Sequence, residues 1–201
     1  MILSDFDQEM NSEDIVCIRY IDDFIILAED RAAGRAAYVK ARQLLNDLGM
    51  QVSDNKTFKG EVRAGFTFLG IELMNGSIRP SRESRTRLVE NVRETFSESS
   101  REFRSLAKSG DIRRSQTLIR TLYKASMIVH GWGKAYKFCN ERNVFQQMDA
   151  LLDVAIREYL GSYAALGKHA APEYRRRILG IPLLVQLASE PFDWPETREL
   201  N

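Results

Sequence analysis

Two adjacent carboxylates, Asp22 and Asp23, stand inside an otherwise apolar run from Ile15 to Ala28, in which Arg19 is the only other charge. Two such groups about 4 Å apart repel by roughly 4 kcal/mol at an effective dielectric near 20. Protonating one of them relieves that repulsion, and so does a cation held between them. Carboxylate oxygens are hard donors, so the economical cation is Mg²⁺, with Mn²⁺ as the alternative. Asp22 and Asp23 are therefore candidate metal ligands.

The flanking residues say how the pair is positioned. Ile15-Val16-Cys17-Ile18 and Phe24-Ile25-Ile26-Leu27 are β-branched and aromatic, as strands of a packed sheet are. The two acids then fall at the tip of a tight hairpin. That tip lacks the Asn-Gly or Gly-Gly that a two-residue turn prefers, and such departures from local turn chemistry concentrate at functional sites.

The chain has 201 residues, 44% apolar and 28% charged, in the range of a globular protein of one ordinary domain or two small ones. No apolar run approaches the roughly 20 residues that cross a membrane, and the start, Met1-Ile2-Leu3-Ser4-Asp5, has no basic leader segment. Cys17 and Cys139 are isolated, without zinc-ligand spacing, which predicts reduced buried thiols and a cytoplasmic location. The net charge of +1 conceals an asymmetry. Acids dominate the first thirty residues. Basic residues dominate from Arg79 to Lys137, an arrangement suited to phosphate-rich substrates.

Periodicity predicts a helix from an Asp30 cap to about Leu48, stopped by Gly49, with Ala37, Ala41, Leu44 and Leu48 on one face. A short strand at Met50–Val52 and a strand-rich stretch from Gly65 to Leu73 follow, closed by the Asn75-Gly76 turn. After Pro80, with Ser81 as a cap, the pattern is helical to about Tyr163. Its core stripes are Leu88, Val92 and Phe96; Leu118, Leu122 and Met127; and Phe145, Met148, Leu152, Ala155 and Tyr159. Breaks are expected at Ser97–Ser100 and Ser109–Asp111, and an irregular tail after Pro172.

Five motifs in this order resemble the second half of a reverse transcriptase of the group II intron, or maturase, type. Arg19-Tyr20-Ile21-Asp22-Asp23-Phe24 is similar to the catalytic hairpin of the palm. Leu48-Gly49-Met50 with Asn55-Lys56-Thr57 resembles the next motif, and Phe68-Leu69-Gly70 the primer grip. Ile78-Arg79-Pro80-Ser81 resembles the entry to the thumb, and Gly131-Trp132-Gly133-Lys134-Ala135-Tyr136 a maturase-type thumb helix. The resemblance implies an α+β fold: a partial palm at 1–79, an antiparallel sheet with a packed helix, followed by an all-helical thumb at 80–171 and the tail at 172–201.

It also implies roles. Asp22 would bind metal directly and Asp23 as a second or intermittent ligand, in a two-Mg²⁺ transfer of a nucleotide to a primer 3′-hydroxyl. Tyr20, with Ile21, would brace the hairpin at the primer end. Lys56 would meet the phosphates of the incoming dNTP or protonate departing pyrophosphate. Leu69 and Gly70 would let the primer backbone approach, and the basic helices from Arg79 and Arg82 onward would track the template–primer phosphates. Trp132, Tyr136 and Phe145 are expected in the thumb core rather than on RNA.

The family's third palm carboxylate and its fingers lie well upstream of the hairpin, whereas nineteen residues precede Tyr20 here. The expectation is a chain that does not polymerise DNA alone and that a second protein chain completes. The alternative is a non-catalytic, RNA-binding maturase-like remnant. Ile21 stands where most group II intron enzymes carry alanine, which leans towards a domesticated role in repair or antiviral defence.

Overall fold

The computed structural model describes residues 3–11, 15–109, 117–168 and 170–187, the side chains of 105–109 excepted. The fold is α+β, and it divides into two compact units, Met1–Gly76 and Ser77–Asn201.

The first unit opens with helix α1 (Ser4–Met10), followed by strands β1 (Val16–Tyr20) and β2 (Asp23–Leu27), helix α2 (Arg31–Asp47), and the hairpin β3 (Phe66–Phe68) and β4 (Ile71–Met74). β1 and β2 pair antiparallel with Val16 opposite Leu27 and Tyr20 opposite Asp23. One face of this ribbon, Cys17, Phe24 and Ile26, packs on Phe6 and Met10 of α1 and on Ala37, Ala41 and Leu45 of α2. Alternation along β1 puts Val16, Ile18 and Tyr20 on the opposite face, where each remains more than half exposed, at 51, 52 and 59%. A polar outer face is the ordinary solution for a ribbon covered on one side. This one is apolar.

α2 begins as its sequence dictates: the Asp30 carboxylate accepts from the backbone N–H groups of Ala32 and Ala33, both at 2.8 Å. Leu45 completes the buried stripe, while Leu48 is 43% exposed beyond the helix end. Met50–Val52 forms no strand. The Met50 N–H instead donates to the Leu45 carbonyl at 2.8 Å, which satisfies the helix terminus and drops Val52 against the core.

The second unit contains strand β5 (Ser77–Pro80) and helices α3 (Arg82–Ser109), α4 (Leu118–Ala135), α5 (Arg142–Lys168), α6 (Pro172–Leu179) and α7 (Leu184–Leu187). Ser81 caps α3, its Oγ accepting from the Ser84 N–H at 3.1 Å. α3 runs unbroken through Ser97–Ser100. Serine lowers helix propensity only by tenths of a kcal/mol, whereas the packing around Ser99 holds the turn. Ser99 is fully buried, with its Oγ 2.9 Å from the Tyr159 hydroxyl and accepting from Thr121 at 3.1 Å. The Phe96 and Tyr159 rings stack beside it at 4.4 Å.

Leu88, Val92, Phe103, Met148, Leu152 and Ala155 belong to the same core, with Ala125 and Ile178. Met127 does not join it and is 54% exposed. Five residues beyond Leu122 is about 140° around a helix, off the buried stripe. Where the sequence predicts an irregular tail, Pro172–Leu179 and Leu184–Leu187 are helical, and the rest of that tail from 188 lies outside the described residues. Pro172 starts α6, Arg176 and Arg177 occupy its last turn, and Gly180 closes it in the left-handed region at φ 83°. A Cβ at Gly180 would lie 2.8 Å from Thr117 Oγ1, so that position requires glycine.

Candidate active site

The ribbon of β1 and β2 ends in the two-residue turn Ile21-Asp22, and Asp23 is the first residue of β2. Ile21 has φ 59°. For a β-branched residue this is a genuine outlier, costing of the order of 1–3 kcal/mol. Positive φ at the first turn residue alone is the type II′ pattern, normally glycine's place. Ile21 is also 69% exposed, so burial of its side chain does not offset the strain. Tyr20, Asp22 and Asp23 are exposed as well, so the tip presents two carboxylates and a phenol to solvent.

Arg19 holds the tip from behind. Its Nη1 donates to the Ile21 carbonyl at 2.6 Å, while Nε and Nη2 form a two-pronged pair with the Asp7 carboxylate of α1 at 2.6 and 2.5 Å. The hydrogen bond from Arg19 holds the Asp7 carboxyl below its usual range and raises Arg19 in turn. Asn11, just past α1, fixes the other end of β1 by accepting from the Cys17 N–H at 2.8 Å and donating to the Cys17 carbonyl at 3.0 Å. Sequence reading missed this pair. The signal was present: a lone arginine inside an apolar strand run needs a buried-side partner, and α1 offers the acid.

A second strained turn lies at Leu69-Gly70, between β3 and β4, with φ 51° and 76°. Positive φ at both central residues is the type I′ pattern, here with leucine in place of asparagine or glycine. Lys56 is exposed at the end of the 3₁₀ turn Asp54–Lys56. Arg79, on β5, and Arg82, at the start of α3, belong to the second unit.

Trp132, Tyr136 and Phe145 pack within the helical unit. The Trp132 ring meets Tyr136 at 4.9 Å and Phe145 at 5.8 Å, and its Nε1 donates to Ser84 Oγ at 3.0 Å. Cys17 and Cys139 are free thiols, and burial raises the pKa of both. Among the described residues, no three His, Cys, Asp or Glu side chains converge on one metal position, and no helix is long and apolar enough to cross a membrane. Asp22 and Asp23 are hard oxygen donors and fit part of a Mg²⁺ shell.

The family model described as reverse transcriptase (RNA-dependent DNA polymerase) matches residues 1–73. The match spans α1, the acidic hairpin, α2 and most of the β3–β4 hairpin, so this part of the chain is similar to a nucleotidyl-transferring polymerase domain. Comparison with curated proteins and with solved structures gave no match.

Proposed function

We propose that this chain is the palm and thumb portion of an RNA-directed DNA polymerase of the group II intron type, extending a primer 3′-hydroxyl with dNTPs on a nucleic-acid template. One observation carries the reading: the family match spans a hairpin whose strained tip displays Tyr20, Asp22 and Asp23 to solvent. Asp22 would be the direct metal ligand and Asp23 the second or intermittent one. Bound there, divalent ions would neutralise charge on the attacking and leaving oxygens of the displacement. Tyr20 supports the primer end, and Lys56 meets the triphosphate. Leu69 and Gly70 let the primer backbone approach, and Arg79 and Arg82 hold template–primer phosphates.

Two carboxylates do not make a full cage, and the outer face of β1 is bare apolar surface. Both features fit a palm completed by polypeptide beyond these 201 residues, carrying fingers and a further aspartate, on our reading a second chain. In the same reading, Ile21 leans towards a domesticated role such as repair or antiviral defence. Primer extension tests the proposal. The purified chain should be silent, its complex with the completing polypeptide should synthesise DNA with Mg²⁺, and Asp22→Asn should abolish that synthesis. Robust synthesis by the purified chain would refute the need for a partner. Undiminished synthesis by the Asp22→Asn complex would refute the site.

A further inference from the structure

The peptide between Ile21 and Asp22 determines where the first acid points. Its plane contains the Ile21 carbonyl and the Asp22 N–H, so fixing that carbonyl sets ψ of Ile21 and φ of Asp22 together. Those two angles orient the bond from Asp22 Cα to its carboxyl arm. Nothing in the Ile21 side chain secures them, because it is 69% exposed and its φ of 59° is disfavoured. The securing contact is Arg19 Nη1 to the Ile21 carbonyl at 2.6 Å.

Arg19 is itself immobilised. Its side chain is 17% exposed, and two of its nitrogens grip the two oxygens of Asp7. Asp7 lies on α1, which Phe6 and Met10 anchor in the core at 1% exposure each. The Phe6 ring also meets Phe24 of β2 edge-on at 5.5 Å. A continuous rigid path thus runs from the core through α1, Asp7 and Arg19 to the turn. A planar fork grips both carboxylate oxygens with two parallel N–H bonds and a carbonyl with a third donor; an ammonium lacks that two-pronged geometry.

We propose that Asp7 and Arg19 are positioning residues for the Asp22–Asp23 site, a clamp that holds the strained turn so that Asp22 presents its carboxylate to a divalent cation. This rests on the reading of the hairpin as the metal-binding tip of a polymerase. Neither residue touches substrate or metal.

The test uses the intact, isotope-labelled chain with Mn²⁺ as probe, comparing wild type, Arg19→Lys, Asp7→Asn and each of these combined with Ile21→Gly. Two quantities are read: the rigidity of the Ile21 and Asp22 amides without metal, and the Mn²⁺ concentration that broadens the Asp22 and Asp23 signals. Unchanged amide shifts in α2 and α5 certify that each variant is folded. Both single variants are expected to loosen the tip and to weaken Mn²⁺ binding roughly tenfold, the usual scale for a partner that orients a metal ligand. Glycine at 21 adopts positive φ freely, so in that background much of the lost affinity should return, which a merely structural ion pair would not produce. A tip equally rigid in Arg19→Lys and Asp7→Asn would overturn the clamp, whatever the metal does. A loosened tip with unaltered Mn²⁺ broadening would overturn the positioning role. Wild-type chain showing no broadening centred on Asp22 would overturn the positioning of Asp22 towards a cation in this chain, while tip rigidity still reports on the clamp and primer extension by the completed complex on the metal-site reading.

Discussion

Ile21 and Leu69 are apolar, exposed and left-handed, and each begins the two-residue turn of a hairpin. Glycine would satisfy either turn without strain, so folding alone does not explain the residues present. Replacing Leu69 with Gly is expected to raise stability by about 1 kcal/mol, strain relief exceeding the added freedom of the unfolded chain; urea midpoints measure this. Asp7 supplies a prediction in pH. The Arg19 hydrogen bond places its folded-state carboxyl below the ordinary 3.8, so the unfolded chain binds the proton more readily. The stabilisation is complete above that ordinary value and is lost as pH falls through the lower folded value. Asp7→Asn should therefore lower the urea midpoint at neutral pH and leave a shallower decline as pH falls below 3.8. An unchanged acid slope would show that the pair contributes nothing to stability.

At the scale of elements, the chain ends of helices were readable where a side chain itself does the work. Asp30 and Ser81 cap α2 and α3 as their types require, and the stripes Leu88–Val92–Phe96 and Met148–Leu152–Ala155 are buried. Readings failed where a distant partner decides. Ser97–Ser100 looks like a break because serine is a weak helix former; Tyr159, sixty residues away, turns Ser99 into a buried core position. The Asp7–Arg19 pair was half legible: Arg19, alone in an apolar run, called for an acid, but which acid is decided by the packing of α1, twelve residues away on another element. The acidic tip was legible because adjacent charges in an apolar run admit few explanations. Its strained backbone was not, since the residue at the turn is one that local rules disfavour there. The buried hydroxyl network gives its own test. Tyr159→Phe and Ser99→Ala should each cost about 1 kcal/mol, since each removes a member of this buried hydroxyl network. Combining them should be less than additive, and equilibrium unfolding of the four proteins measures the coupling.

Across the whole molecule, each unit has its own core, and among the described residues the first leaves one face of its β1–β2 ribbon exposed. Val16, Ile18 and Tyr20 alternate with the buried Cys17 and the clamped Arg19, so the exposed face is set by the same period that builds the site. If that face merely meets water, a charge there is harmless; if further polypeptide covers it, a charge is ruinous. Ile18→Lys separates the two. Ile18 is already 52% exposed, so the isolated chain should lose no more than about 0.5 kcal/mol, the usual range for surface substitutions. Assembly is another matter, because burying an unpaired ammonium costs several kcal/mol. If the proposed function holds, the expected outcome is a variant with a normal unfolding curve and an RNA affinity like the wild type's, falling with salt as phosphate contacts require, yet with no DNA synthesis when the proposed completing polypeptide is added. Asp22→Asn should give the same loss of synthesis while still assembling. An Ile18→Lys chain that assembles and polymerises normally would show that the apolar face is not covered. A wild-type chain that binds RNA but never gains synthesis with any completing polypeptide would favour the RNA-binding remnant, in which the acids at the tip no longer serve catalysis.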